Sequence, residues 1–260
     1  VELSYRLAED LSSAVLTVGF DASARSIVKA DLISPEGAIA ATGFCETSGE
    51  GSISMKVASP ELWWPHNYGT QPIYEVRLSC CDKKGRVTDE YTRKVSFRRS
   101  EMAYNEGARH DGAEVTAPAT ITINGRRIFA QGSNWVPSEM CYSEVNPDNV
   151  RTLLTYLKEA NMNILRLWGG SYLQPDWFYD MCDEMGIMLW QEFPLACAKY
   201  SDDDAYLDVL SQESATMIKM LRTHASVVMY CGGNELFFTW FDGKWGGMSY
   251  QSKALRLLDS

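Results

Sequence analysis

The run Val227–Cys231, followed by Gly232, Gly233, Asn234 and Glu235, constrains this chain more than any other stretch. Five apolar or β-branched residues without alternation describe a strand covered on both faces, as in a parallel sheet. The two glycines stop it. Asn234 and Glu235 then stand at the carboxyl end, the edge where parallel α/β sheets collect their binding groups. From the strand alone a polar cap is the simpler reading. The segments before it reverse that balance.

Upstream, strands and helices alternate. Asn146, Pro147 and Asp148 supply an N-cap and a proline at the first helical position, and Val150, Leu153, Leu154, Leu157 and Ala160 keep one buried face. Residues 129–132 read as a short strand leading to Ser133, Asn134 and Trp135, and residues 163–168 as the next, ending in Gly169 and Gly170. Pro175 starts a second helix striped by Phe178, Met181, Cys182 and Met185 and ended by Gly186. Residues 187–190 form a third strand before Gln191, Glu192 and Phe193, and Leu207, Leu210, Met217, Ile218 and Leu221 mark a third helix. This order predicts parallel βαβ units. Four such strands are half a (β/α)8 barrel, which needs roughly 250 residues when complete. A truncated barrel is expected.

The first 98 residues differ. Ala14 to Phe20, Ile53 to Val57, Ile73 to Leu78 and Arg93 to Phe97 alternate, and turn residues such as Pro35-Glu36-Gly37 and Asp82-Lys83-Lys84-Gly85 separate them. About seven short strands without an amphipathic helix predict an immunoglobulin-like β-sandwich. The Trp63-Trp64 pair between Pro60 and Pro65 is read as a rigid packing loop ahead of a sugar platform. The expected division is a sandwich over 1–98, a polar linker over 99–118, and the N-terminal half of a TIM barrel over 119–260, entered through an Asn124-Gly125 hairpin.

Composition removes several function classes. A hydrophobic fraction of 45% with 22% charged residues describes a folded chain, and 24 basic against 34 acidic residues give a formal charge of −10. That sign disfavours nucleic acid and anionic membrane surfaces. The seven cysteines form no CxxC pairs and are read mostly as small buried hydrophobes, while the three histidines make no metal-ligand pattern. No metal is expected. The glycine pairs lack the spacing of a dinucleotide or phosphate loop, and no cofactor is expected.

Polar and aromatic residues recur at successive strand ends: Asn134 and Trp135, then Arg166 and Trp168, then Glu192, then Asn234 and Glu235. Sugar hydroxyls need carboxylate, amide and guanidinium partners, and a sugar ring's apolar face needs an aromatic wall. A carboxylate in such a desolvated pocket suits general acid work. A carbohydrate partner is therefore expected.

The motifs also match a known family. Glu61-Leu62-Trp63-Trp64-Pro65, Ile123-Asn124-Gly125, Gly132-Ser133-Asn134-Trp135, Arg166-Leu167-Trp168-Gly169-Gly170, Trp190-Gln191-Glu192-Phe193 and Gly233-Asn234-Glu235 occur in order. In these the chain resembles glycoside hydrolase family 2, most closely its β-mannosidase-like branch. The resemblance implies a retaining exo-β-glycosidase, with a β-glucosaminidase, β-galactosidase or β-glucuronidase as alternatives and a non-catalytic carbohydrate-binding module as the alternative of another class. It implies Glu235 as acid/base, Asn234 on the 2-hydroxyl, Arg166 orienting the nucleophile, Trp168 walling the sugar subsite, Trp135 and Asn134 lining it, and Glu192 on sugar hydroxyls. The family's nucleophile comes from a seventh strand, so it is expected outside this chain and the piece is expected to be inactive. Open barrel edges make self-association of the piece a further expectation.

Overall fold

The computed structural model describes residues 1–106, 119–237, 239–241, 244–249 and 251–259, with 239–241 and 244–246 described by backbone alone. Two compact units emerge: Val1–Ala130 with Asp183–Gly186 and Arg222–Ala225, and Gln131–Cys182 with Ile187–Leu221 and Ser226–Ser260.

In the first unit, seven strands form two antiparallel sheets. β1 (Glu2–Leu7), β2 (Ser13–Asp21) and β5 (Glu50–Ala58) make one; β4 (Ile39–Thr47), β3 (Ser26–Ile33), β6 (Tyr74–Cys81) and β7 (Val87–Val95) make the other. Alternation puts Leu16 and Val18 of β2, Ala30 and Leu32 of β3, Met55 and Val57 of β5, and Val76 and Leu78 of β6 into one shared core. This is the expected sandwich. Trp63 is fully buried, its indole N–H donates to the Asp183 carbonyl at 2.8 Å, and its own carbonyl accepts from Asn124 Nδ2 at 3.0 Å. The packing-loop reading of Trp63 holds.

Residues 100–104, expected within a linker, form β8 (Ser100–Tyr104). It pairs antiparallel with β9 (Ala119–Ile123), which turns through Asn124 (φ 50) and Gly125 (φ 79) into β10 (Arg126–Arg127). Two successive left-handed residues make the type I′ turn that Asn-Gly predicts. The strand escaped sequence reading because it shows no buried apolar face: its large apolar side chains, Met102 and Tyr104, are exposed. The rest of the expected linker, 107–118, lies outside the described residues.

The second unit carries a four-stranded parallel sheet in the order β11 (Gly132–Trp135), β12 (Ile164–Leu167), β13 (Met188–Glu192) and β14 (Val227–Cys231). Helices α1 (Pro147–Glu159), α2 (Asp176–Met185) and α3 (Asp204–Leu221) connect the strands. Asn146 caps α1, accepting from the Asp148 N–H at 2.8 Å. Gly186, at φ 74, ends α2. Two local expectations shift. The first strand runs over Gly132–Trp135 and not 129–132, since Ile128 already pairs with Ile121 and Phe129 is 74% exposed. On α3 the buried stripe is Leu210, Ser214, Met217 and Leu221, and Ile218 lies outside it. After β14, an antiparallel pair, β15 (Thr239–Phe241) and β16 (Lys244–Gly246), and α4 (Lys253–Asp259) were not foreseen. Asp202 receives the Ser252 hydroxyl and the Ala254 N–H and so fixes the start of α4.

Trp63→Ala should cost about 3–5 kcal/mol, because it empties a fully buried indole site and strands the Asp183 carbonyl. Urea denaturation of the sandwich signal tests this; an unchanged midpoint would contradict the packing role.

Candidate active site

Register decides which side chains share a face. Asn134 lies opposite Arg166, and Arg166 opposite Trp190, so with Glu192 two residues on they belong to one face of the sheet. Trp135, Leu167 and Gln191 belong to the other. That second face meets α2. Trp135 lies 5.3 Å from Phe178 between ring centroids, and the Tyr179 hydroxyl donates to Gln191 Oε1 at 2.7 Å. Burial pushes the Tyr179 phenol up, keeping it a neutral donor.

On the first face Arg166 is the hub. Its Nε donates to Glu192 Oε1 at 2.9 Å and its Nη2 stands 2.7 Å from the same oxygen. Nη1 donates to Asn134 Oδ1 at 3.1 Å and Nη2 to Asn234 Oδ1 at 2.6 Å. The guanidinium also lies 5.4 Å over the Trp190 ring. Glu192 has a side chain only 1% exposed, and its second oxygen accepts the Gly169 N–H at 2.8 Å. Gly169 must be glycine, because a Cβ there would meet the Phe193 and Leu195 carbonyls at 2.6 and 2.8 Å. The Glu192 carboxylate is thus enclosed and satisfied. It anchors Arg166.

Past the sheet, pairing continues between the ends of β13 and β14. Asn234 N–H donates to the Leu195 carbonyl at 2.9 Å, Cys197 N–H donates to the Asn234 carbonyl at 2.9 Å, and Ala196 bridges Asn234 in parallel. Three residues here take left-handed backbone: Cys197 (φ 50), Gly233 (φ 141) and Glu235 (φ 52). The result brings Asn234 Nδ2 to 3.3 Å and Glu235 Oε2 to 3.4 Å from the Cys197 sulfur. Asn234 is buried, whereas Glu235 and Cys197 are exposed.

The structure therefore brings together Asn134, Arg166, Glu192, Asn234 and Glu235 on one sheet face and its strand ends. Trp168 follows β12 half-buried, with its ring packed where a Cβ on Gly170 would lie 2.2 Å away. Trp135 lies within β11 next to Asn134, packs its ring against Phe178, and lines a small cavity with Trp168 and Glu192. Among the described residues Glu235 is exposed at the end of β14. Two members were missed. Trp190 was legible from its two-residue offset from Glu192. Cys197 was not, because most cysteines were read as buried, yet among the described residues Cys182 alone is buried.

A model of glycosyl hydrolases family 2 matches residues 1–98, and a model of that family's TIM barrel domain matches residues 114–255. The beta-mannosidase of Capra hircus is 36% identical over 195 residues, covering 74% of this chain and 22% of that protein. Beta-mannosidase B of Thermothelomyces thermophilus is 32% identical over 189 residues, covering 73% and 22%. Among solved structures, a beta-D-mannosidase from Dictyoglomus thermophilum superposes with a TM-score of 0.77 at 29% identity, over 91% of this chain and 29% of that one. A beta-glucuronidase of Parabacteroides merdae gives 0.71 at 21% identity over 90% and 28%, a likeness of fold. The chain spans about a fifth of the length of the curated relatives it matches.

Glu192→Ala should leave the partly buried Arg166 charge without its partner and cost about 3–5 kcal/mol, while Glu192→Gln, which keeps an acceptor, should cost less. Thermal unfolding of the two variants checks the order; equal stability of Glu192→Ala and the parent would refute the anchoring role.

Proposed function

The chain belongs to glycosyl hydrolase family 2, and from that premise we propose that its protein is a retaining exo-β-glycosidase acting on terminal β-mannosides. One observation carries the reading: Arg166, clamped by Glu192, holds both Asn134 and Asn234 at the carboxyl edge of the parallel sheet beside Glu235. Relatives at 32–36% identity bearing the name beta-mannosidase support the choice of sugar.

Glu235 acts as the acid/base. Standing past the end of β14, it protonates the departing glycosidic oxygen and then takes the proton from the incoming water. Asn234 turns its carbonyl to Arg166, so an amide N–H remains for the sugar's 2-hydroxyl. Trp168 walls the terminal sugar and Asn134 rims it. Trp135 lines that subsite beside Trp168, its ring packed on Phe178. Retention needs a second carboxylate about 5–5.5 Å from the first. Glu192 is enclosed and committed to Arg166, and we assign the nucleophile to the part of the protein outside these 260 residues.

Initial rates of the whole protein on aryl β-mannoside, glucoside, galactoside, glucuronide and glucosaminide test the substrate; a dominant mannoside rate is expected. Another winner would move the sugar, and no turnover would favour a carbohydrate-binding module. Glu235→Gln should lower kcat by about 100-fold or more on poor leaving groups and far less on activated aryl glycosides, which need little protonation. Equal losses on both would remove Glu235 from the acid/base role. The 260-residue chain alone should turn over none of these substrates. With β11 and β14 as sheet edges, it should also associate in sedimentation, and a monodisperse monomer would refute that.

A further inference from the structure

Resting on the acid/base assignment of Glu235, we propose that Cys197 is a positioning residue of the reaction. Its thiol carries a hydrogen-bond relay from Arg166 to the Glu235 carboxylate and sets the orientation of that carboxylate.

The direction of the relay follows from what each group can give. A guanidinium has only donors, so the Asn234 atom 2.6 Å from Arg166 Nη2 is the carbonyl oxygen. The amide nitrogen therefore faces the Cys197 sulfur at 3.3 Å and donates to it. The thiol's own proton then points to Glu235 Oε2 at 3.4 Å, an acceptor when the carboxylate is ionised. Every donor points away from Arg166, and a chain of bonds polarised in one sense strengthens its members.

Among the described residues the thiol is the one side-chain hydrogen-bond partner of Glu235. Cys197 itself is held by its N–H on the Asn234 carbonyl and by a left-handed backbone at φ 50. A thiol is a weak donor, so it orients the carboxylate without fixing its protonation state. With Oε2 turned to Cys197, Oε1 is the oxygen left to carry the proton to and from the glycosidic oxygen.

The test uses the whole protein. Cys197→Ala should lower kcat about tenfold on a poor-leaving-group β-glycoside, while KM and the rate on an activated aryl glycoside stay within about threefold. Cys197→Ser, which keeps a hydroxyl donor and acceptor, should restore most of the loss. Methyl methanethiosulfonate adds an independent arm. The Cys197 thiolate attacks the methylthio sulfur, a new S–S bond forms, methanesulfinate leaves with the electron pair, and the thiol proton goes to buffer. This should silence the parent reversibly with dithiothreitol and leave Cys197→Ser active. A folded Cys197→Ala with the parent's leaving-group profile, a Ser variant no better than Ala, or a Ser variant as sensitive to the reagent as the parent would overturn the proposal while leaving the glycosidase reading intact. Absence of any glycosidase activity in the whole protein would overturn that reading first, and this proposal with it.

Discussion

The contact between Arg166 and the enclosed Glu192 carboxylate governs the polar face of the parallel sheet. Burying an ionised carboxylate costs several kcal/mol unless charge and hydrogen bonds replace water. Here Arg166 supplies the charge and the Gly169 N–H the remaining donor. This requirement propagates outward. Gly169 can bring its N–H close because it has no Cβ to meet the Phe193 and Leu195 carbonyls, and the Arg166 fork, once fixed, orients Asn134 and Asn234.

Sequence reading reached furthest where one physical signal had one outcome. Val227–Cys231 is a strand over its whole expected length, although only Val227 is buried and the other four are half-buried at the edge of the described sheet. The Asn146 cap and the Asn124-Gly125 turn were equally local, since each side chain or backbone angle acts within a few residues. β8 was lost for the opposite reason: its partner β9 lies across residues 107–118, and its exposed face reads as linker. Seven-residue α4 gives too few turns for a periodic signal, and its cap comes from Asp202, more than forty positions away.

The site residues divide in the same way. Asn134, Arg166, Asn234 and Glu235 were legible as polar residues at strand ends. Glu192 was found, but a polar strand end does not say whether its carboxylate meets solvent or an arginine 26 positions earlier. Cys197 meets Glu235 across 38 positions, a separation that no local pattern encodes.

The left-handed residues explain how an exposed carboxylate is held. A non-glycine residue at positive φ costs about 1–3 kcal/mol, and Cys197 and Glu235 both adopt it within one small region. The backbone bonds that continue from β13 to β14 beyond the regular sheet offset that strain, through Leu195, Ala196, Cys197 and Asn234. Gly233 permits the approach, since a Cβ there would meet the Leu195 carbonyl at 2.5 Å. The strained turns bend both side chains toward the strand end, while the extended pairing keeps their backbones in register. Glu235 therefore sits on a backbone held by the hydrogen-bonded pairing that continues from β13 to β14.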